Sequence, residues 1–230
     1  MRELDKKDLS WAVRLLPAEV KNLMERYKYS IVLGGGYLRS TISNERVNDL
    51  DLFSSCPEQS TLFADLLASQ VGRKVYETAN AYSVKTPTAF VQFIHRWTFP
   101  NPEALLQSFD FTIACAAIWV NSSGKWTSLA DDSFYSDLAA KRLVYRSPIR
   151  NEDAGGSLLR VLKYYQRGYR IPLDSLAFVL ARVFHSVDEG HTESDTGREI
   201  LKQLILVDPQ VDPTHEAHLP AEDTDVESSS

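Results

Sequence analysis

The sequence predicts an α/β fold in which strands and helices interleave up to about residue 145 and helices alone follow from about residue 150. Three observations carry that reading. An apolar, β-branched run at 30–33 breaks at three glycines and is followed by a second strand pattern at 49–53. A helical pattern at 57–71 leads into three short strand patterns between 73 and 94. From 157 onward the apolar residues recur at helical spacing.

In chain order, residues 1–16 form an entry segment, with Trp11, Leu15 and Leu16 as packing anchors. Pro17 is suited to the first turn of a helix over 18–27, whose inward face carries Val20, Leu23, Met24 and Tyr27. The strand at 30–33 then meets Gly34, Gly35 and Gly36, a tight turn from which residues 37–41 can begin a helix.

The second strand reads Asp49-Leu50-Asp51-Leu52-Phe53. Alternate side chains share a face, so Leu50 and Leu52 point to a core. Asp49 and Asp51 point the other way, about 7 Å apart at their Cα atoms. Two carboxylates on one face repel unless a cation sits between them, and their hard oxygens suit Mg²⁺ or Mn²⁺. A glycine turn ahead of a helix can cradle phosphates. Such a cradle beside a metal-binding carboxylate pair points to phosphoryl or nucleotidyl transfer.

Gly35-Gly36-Tyr37-Leu38-Arg39-Ser40 followed by Asp49-Leu50-Asp51-Leu52 resembles the GG-x-V-R-D … D-I-D-L signature of class II CCA-adding enzymes and bacterial poly(A) polymerases. Those enzymes belong to the polymerase-β nucleotidyltransferase superfamily. Ser40 stands where that family usually has Asp. The resemblance implies a nucleotidyltransferase head with a small mixed sheet, followed by a helical neck.

The helix at 57–71 presents Leu62, Phe63, Leu66, Leu67 and Val71 at helical spacing and is closed by Gly72. Strands at 73–78, 81–86 and 89–94 follow with tight turns. Many polymerase-β relatives carry a third catalytic carboxylate on such a strand; the aligned position here holds Gln92, an amide. Gln92 reads equally as a polar residue on a partly exposed face.

After a short helix at 102–108, Asp110-Phe111-Thr112-Ile113-Ala114-Cys115-Ala116 resembles the family's R-R-D-F-T-I-N-A motif. Ser108 and Phe109 replace the paired arginines, and Ala114 replaces Asn. The motif is associated with the sugar of the incoming nucleotide. Asp110 could bind ribose hydroxyls, complete the metal site, or cap the next helix. A hairpin over 116–120 and 126–129 and a helix at 131–140 complete the head, and 137–143 resembles the segment that leaves it.

Residues 157–169 are basic and aromatic and resemble the family's neck helix. Arg160, Lys163 and Arg167 there read either as phosphate or acceptor contacts or as a solvated helix face. Glu152-Asp153 does not fit the register of the family's base-reading motif. Helices over 173–187 and 196–207 follow. After Pro209 the acidic, Ser-rich composition predicts a disordered tail, whose His215 and His218 lack zinc-type partners.

The organisation expected is an entry segment (1–16), a head (17–145), a helical neck (146–208) and a tail (209–230). The resemblance implies an enzyme transferring a nucleoside monophosphate from an NTP, ATP or CTP first, to an acceptor hydroxyl. Asp49 and Asp51 would bind Mg²⁺ or Mn²⁺, with Asp110 the third catalytic candidate. Gly34, Gly35, Gly36, Arg39, Ser40, Arg160 and Lys163 would bind the nucleotide. The acceptor would be RNA (tRNA among the options), a protein side chain or a small molecule. The lost arginines, Ala114 and Gln92 fit the alternative, an inactive nucleotide-binding or partner-binding module.

The net charge of −6 argues against a broad duplex-binding surface but permits a local basic site. No apolar run reaches membrane-spanning length, and the first residues lack a signal peptide's apolar core. Cys56 and Cys115 suggest neither a disulfide framework nor a zinc motif, so a reducing cytoplasm is expected.

Overall fold

The computed structural model describes residues 1–148, 154–186 and 193–207. The chain opens with α1 (Lys6–Leu15) and α2 (Ala18–Arg26). Then come β1 (Val32–Gly34), α3 (Gly36–Ile42), β2 (Asp49–Phe53) and α4 (Pro57–Val71). The meander β3 (Val75–Glu77), β4 (Ala81–Lys85) and β5 (Phe90–Ile94) follows. The head closes with α5 (Pro102–Gln107), β6 (Ala116–Val120), β7 (Trp126–Ala130) and α6 (Phe134–Ala139). Beyond it lie α7 (Ala154–Gln166), α8 (Leu173–His185) and α9 (Glu193–Val207).

The seven strands form one sheet in the order β3-β4-β5-β2-β1-β6-β7. Only β2 and β5 run parallel among these pairs; the rest are antiparallel. The cause is the crossover between them. Helix α4 carries the chain back across the sheet, and the meander then returns β5 alongside β2.

Register divides the sheet's two faces. Leu33 sits opposite both Leu52 and Ile118, Leu50 beside Val91, and Leu52 beside Phe93. These residues are buried in the main core with Phe63 and Leu67 of α4 and Val20 and Met24 of α2. On the reverse face Phe53, Ala81, Ile94 and Ala117 pack under Leu105 and Leu106 of α5 as a smaller apolar cluster. Asp49 and Asp51 belong to this second face, as the alternation of the strand predicts.

Local chemistry sets the element ends. Pro57 occupies the first turn of α4, and Gly72, at φ +64°, ends it in the left-handed conformation. The Asn101 side chain accepts from the Ala104 N–H at 2.8 Å and caps α5. The helix expected from 131 begins instead at Phe134, because the Asp131 side chain accepts from the Ser133 N–H at 2.8 Å and folds a turn there.

The entry segment differs from expectation. It is mostly helical, and Arg2 bridges to Ala130 at the edge of β7. Leu4, Ala12 and Leu16 are its buried anchors, whereas Trp11 is 42% and Leu15 49% exposed. Ala12 faces the core from α1, and Leu16 turns inward as the extended residue that ends it. Trp11 lies under the Arg14 guanidinium at 4.3 Å instead.

Glu152, Asp153 and everything from Asp208 onward, including His215 and His218, lie outside the described residues. No described helix is long and apolar enough to cross a membrane.

Candidate active site

A cleft of about 360 Å³ opens on the second face of the sheet, between β2, the glycine turn and α7. Its floor is set by backbone register. Gly34 of β1 lies opposite Asp51. A Cβ added to Gly34 would come within 3.2 Å of the Phe109 ring and 3.3 Å of Leu105. Gly35 holds φ +74°, and a Cβ there would lie 3.4 Å from Asp51 Oδ2. Both positions therefore need glycine, one for close packing and one for its backbone conformation.

Asp49 and Asp51 both line the cleft and are partly buried. Burial pushes the Asp51 carboxyl up to about 7. The nearby Asp49 charge pushes the same way, and the Arg160 and Lys163 charges partly offset both. Gln92 of β5 sits beside Asp51 in the parallel register and also faces the cleft. Among the described residues no group of three or more His, Cys, Asp or Glu side chains is assembled. The carboxylate pair stands with an amide neighbour.

Arg39 projects from α3 with only 3% of its surface exposed. Its Nη2 donates to Ser40 Oγ at 2.7 Å. The guanidinium lies 4.8 Å over the Tyr164 ring and forms a long ion pair, 3.5 Å, with Glu45. Its Nε has no hydrogen-bond partner. The same guanidinium nitrogens would lie 3.8 and 3.9 Å from a Cβ on Gly36, so the charge is held against the glycine turn. A buried guanidinium this lightly paired favours an incoming anion.

The opposite wall is α7. Arg160, Lys163 and Tyr164 line the cleft from it, and Arg167 does so just beyond its end. Asp110 is the contact that holds this wall. Its Oδ2 accepts from Ser157 Oγ at 2.8 Å and from Arg160 Nη1 at 2.6 Å. Asp110 does not cap the following turn, Thr112–Ala114, whose N-cap is Phe111. The structure thus brings together every residue singled out in the sequence except Gly34, which backs the cleft from beneath. It adds Glu45, Ser157 and Tyr169, whose hydroxyl donates to Glu45 Oε1 at 3.0 Å. Ser157 and Tyr169 bound the segment that resembles a neck helix without being singled out in it, and Glu45 carries no motif; their contacts exist only in the tertiary fold.

The cleft also has an apolar end. Phe53, Ile94, Trp97 and Phe109 line it past Asp51 along β2, with Arg96 over Trp97. None of this end is marked by the D-x-D signature.

The sequence model of the Gabija anti-defense 2 family matches residues 3–141. The chain belongs to that family. The match takes in Asp49, Asp51 and Asp110 and stops before α7, so in this Gabija anti-defense 2 family chain the cationic wall lies beyond the matched residues. No curated protein matches.

Solved structures match over more of the chain. The Thermotoga maritima CCA-adding enzyme complexed with tRNA is 17% identical, with a TM-score of 0.57, over 89% of this chain and 51% of that one. A CCA-adding enzyme in complex with CTP gives 17% identity and a TM-score of 0.59 over 90% and 51%. The complex with ATP gives 16% and 0.58 over 90% and 51%. The chain spans about half the length of these structures. The likeness establishes the fold, that of a polymerase-β-type nucleotidyltransferase head with neck helices.

Proposed function

We propose that the chain is a metal-dependent nucleotidyltransferase that moves a nucleoside monophosphate from an NTP, ATP or CTP first, to an acceptor hydroxyl and releases pyrophosphate. The observation that carries this reading is the Asp49–Asp51 pair, set on the cleft face of β2 directly beneath the Gly35 turn.

The donor set fits a hard divalent cation. Asp51 is pushed up to about 7 by burial and by Asp49, and a Mg²⁺ or Mn²⁺ ion between the two carboxylates would relieve both costs. Such an ion, when bound, supplies Lewis-acid stabilisation of the phosphate oxygens and lowers the pKa of the attacking hydroxyl. The remaining work belongs to the chain. Gly35 and Gly36 let phosphates approach the backbone, while Gly34 packs beneath them against Phe109 and Leu105. Arg39, already desolvated, meets the triphosphate with charge-assisted hydrogen bonds, and Ser40 fixes its rotamer. Arg160 and Lys163 add positive charge from α7, with Arg160 aimed by Asp110 and Ser157. We assign residues 17–145 to the head, 146–208 to the neck and 209–230 to the tail.

The acceptor is RNA, a protein side chain or a small molecule. The family's name, Gabija anti-defense 2, supports reading such an activity as part of counter-defence against Gabija. A second reading is a partner-binding module on the same fold, favoured by the amide of Gln92 beside Asp51. The test incubates the protein with RNA and lysate, each NTP labelled at the α-phosphate, and Mg²⁺ or Mn²⁺. The Asp49→Ala/Asp51→Ala protein runs in parallel. Label transferred by wild type alone supports the transferase. Nucleotide binding without label under any metal supports the module.

A further inference from the structure

We propose that the acceptor is a phenolic hydroxyl, the side chain of a tyrosine on a partner protein, received by the aromatic end of the cleft. This rests on the transferase reading above and names its acceptor.

The cleft is chemically divided along β2. Arg39 beside the glycine turn and the α7 cations Arg160 and Lys163, whose charges act on Asp51, suit a triphosphate. Past Asp51 the same strand face presents Phe53, with Ile94 beside it in register and Trp97 and Phe109 around it. Phe53 and Phe109 meet edge to face at 6.1 Å. Trp97 carries the Arg96 guanidinium at 4.5 Å, and that guanidinium donates to Asn80 Oδ1 at 2.9 Å. A half-buried aromatic wall favours a flat ring. The wall also reaches the reacting centre. One point, the place of a Gly35 Cβ, lies 3.8 Å from the Phe109 ring and 3.4 Å from Asp51 Oδ2. A ring resting on Phe109 therefore brings a substituent on its edge to the carboxylate pair.

The second observation concerns the proton. Asp110 is engaged by Ser157 and Arg160, Gln92 is an amide, and no histidine is among the described residues lining the cleft. Asp49 and Asp51 are committed to the cation. Deprotonation of the acceptor would therefore fall to the bound cation, and an aliphatic hydroxyl asks more of that cation than a phenol does. A phenol, with a pKa of about 10, ionises far more readily, and the surrounding arginines and Lys163 favour its anion. A single-stranded nucleic acid would instead need a basic groove running out along its backbone. The chain's net charge of −6 gives such a groove little support.

In the step, the phenolate oxygen attacks the α-phosphorus and the bond from that phosphorus to the β-bridging oxygen breaks. Pyrophosphate leaves, and the phenol's proton passes to solvent. The product is a tyrosine nucleoside-monophosphate ester.

The experiment offers the whole chain α-labelled NTP and Mn²⁺ with three acceptors: a tyrosine-containing tripeptide, the same peptide with serine, and a short single-stranded RNA with a free 3′ hydroxyl. Labelled lysate proteins are mapped by mass spectrometry in the same series. Label on the tyrosine peptide and on lysate tyrosines, at least tenfold over the serine peptide, is the expected result. Trp97→Ala and Phe109→Leu should each raise the peptide KM about tenfold and leave the NTP KM within about twofold. Phe109→Leu keeps the volume over Gly34, so a folding defect in one variant leaves the other as the test. Label on serine or on RNA with tyrosine unlabelled overturns this inference and leaves the transferase standing. No label on any acceptor overturns both.

Discussion

The two walls of the cleft are held in place by different physics. The wall bearing Asp49 and Asp51 is sheet. Leu50 and Leu52, alternating with the carboxylates, are 2% and 1% exposed in the core, and five register pairs tie β2 to β5. A shift of one residue would turn both leucines out and both aspartates in, so the carboxylates are fixed by the burial of their neighbours. The α7 wall is attached mainly through side chains, with one backbone bridge just past its end between Arg142 and Arg170. Asp110 holds Arg160, Tyr164 lies under Arg39 and packs edge to face on Phe111 at 6.2 Å, and Tyr169 reaches Glu45. The difference teaches that the carboxylate pair should survive substitution around it, while the cations can be misplaced by the loss of one contact.

The sharpest way to break this contrast is to remove the carboxylates themselves. Asp49→Ala/Asp51→Ala should lower transfer by about 10³-fold or more while the fold persists, because β2 is held by Leu50 and Leu52. A double variant that unfolds would show that the pair is structural. Next is Gly35→Ala. At φ +74° the new side chain costs about 1–2 kcal/mol of backbone strain and presses on Asp51 Oδ2. Transfer should fall about 10- to 100-fold, read as a rise in the NTP KM. An unchanged KM would remove the glycine turn from the phosphate site.

Asp110→Asn tests the side-chain wall. The asparagine keeps the shape but loses the charge that aims Arg160. The turnover rate should drop about tenfold, with a loss of roughly 1–3 kcal/mol in stability. The NTP KM should rise about tenfold, since Arg160 is no longer aimed at the triphosphate. An unchanged KM would remove Arg160 from the nucleotide site.

The same contrast explains what could be read from the chain. The D-x-D strand was legible to the residue, because period-two alternation and a glycine break are local signals, and 49–53 and 57–71 are the observed bounds. The roles of Asp110 and Arg160 were not legible. They lie fifty positions apart, and their pairing exists only once α7 lies across the head. Gln92 was placed on the correct strand, but its position beside Asp51 depends on the parallel β2–β5 register, which no local pattern encodes. Trp11 and Leu15 were misplaced for the opposite reason. Large apolar residues suggest anchors, yet α1 turns the small Ala12 to the core, and Leu4 and Leu16 on either side of the helix supply the bulk.

The smallest effect sharpens the contrast without touching turnover. The Asp51 carboxyl is raised from its ordinary 3.8 to about 7 in the folded chain, chiefly by burial and then by Asp49. The folded state therefore holds a proton that the unfolded state has already lost between those values. Stability falls as pH rises from about 4 to about 7 and is level above. Asp51→Asn removes that dependence. In metal-free buffer its advantage over wild type should grow across this window to about 1–3 kcal/mol, a few degrees in Tm for a chain of this size. Adding Mn²⁺ at pH 8 should reverse the order, because only the wild type gains a bound cation. A stability difference that stays constant from pH 4 to 8 would show that Asp51 is not strained, and the carboxylate pair would lose its reason to bind a metal.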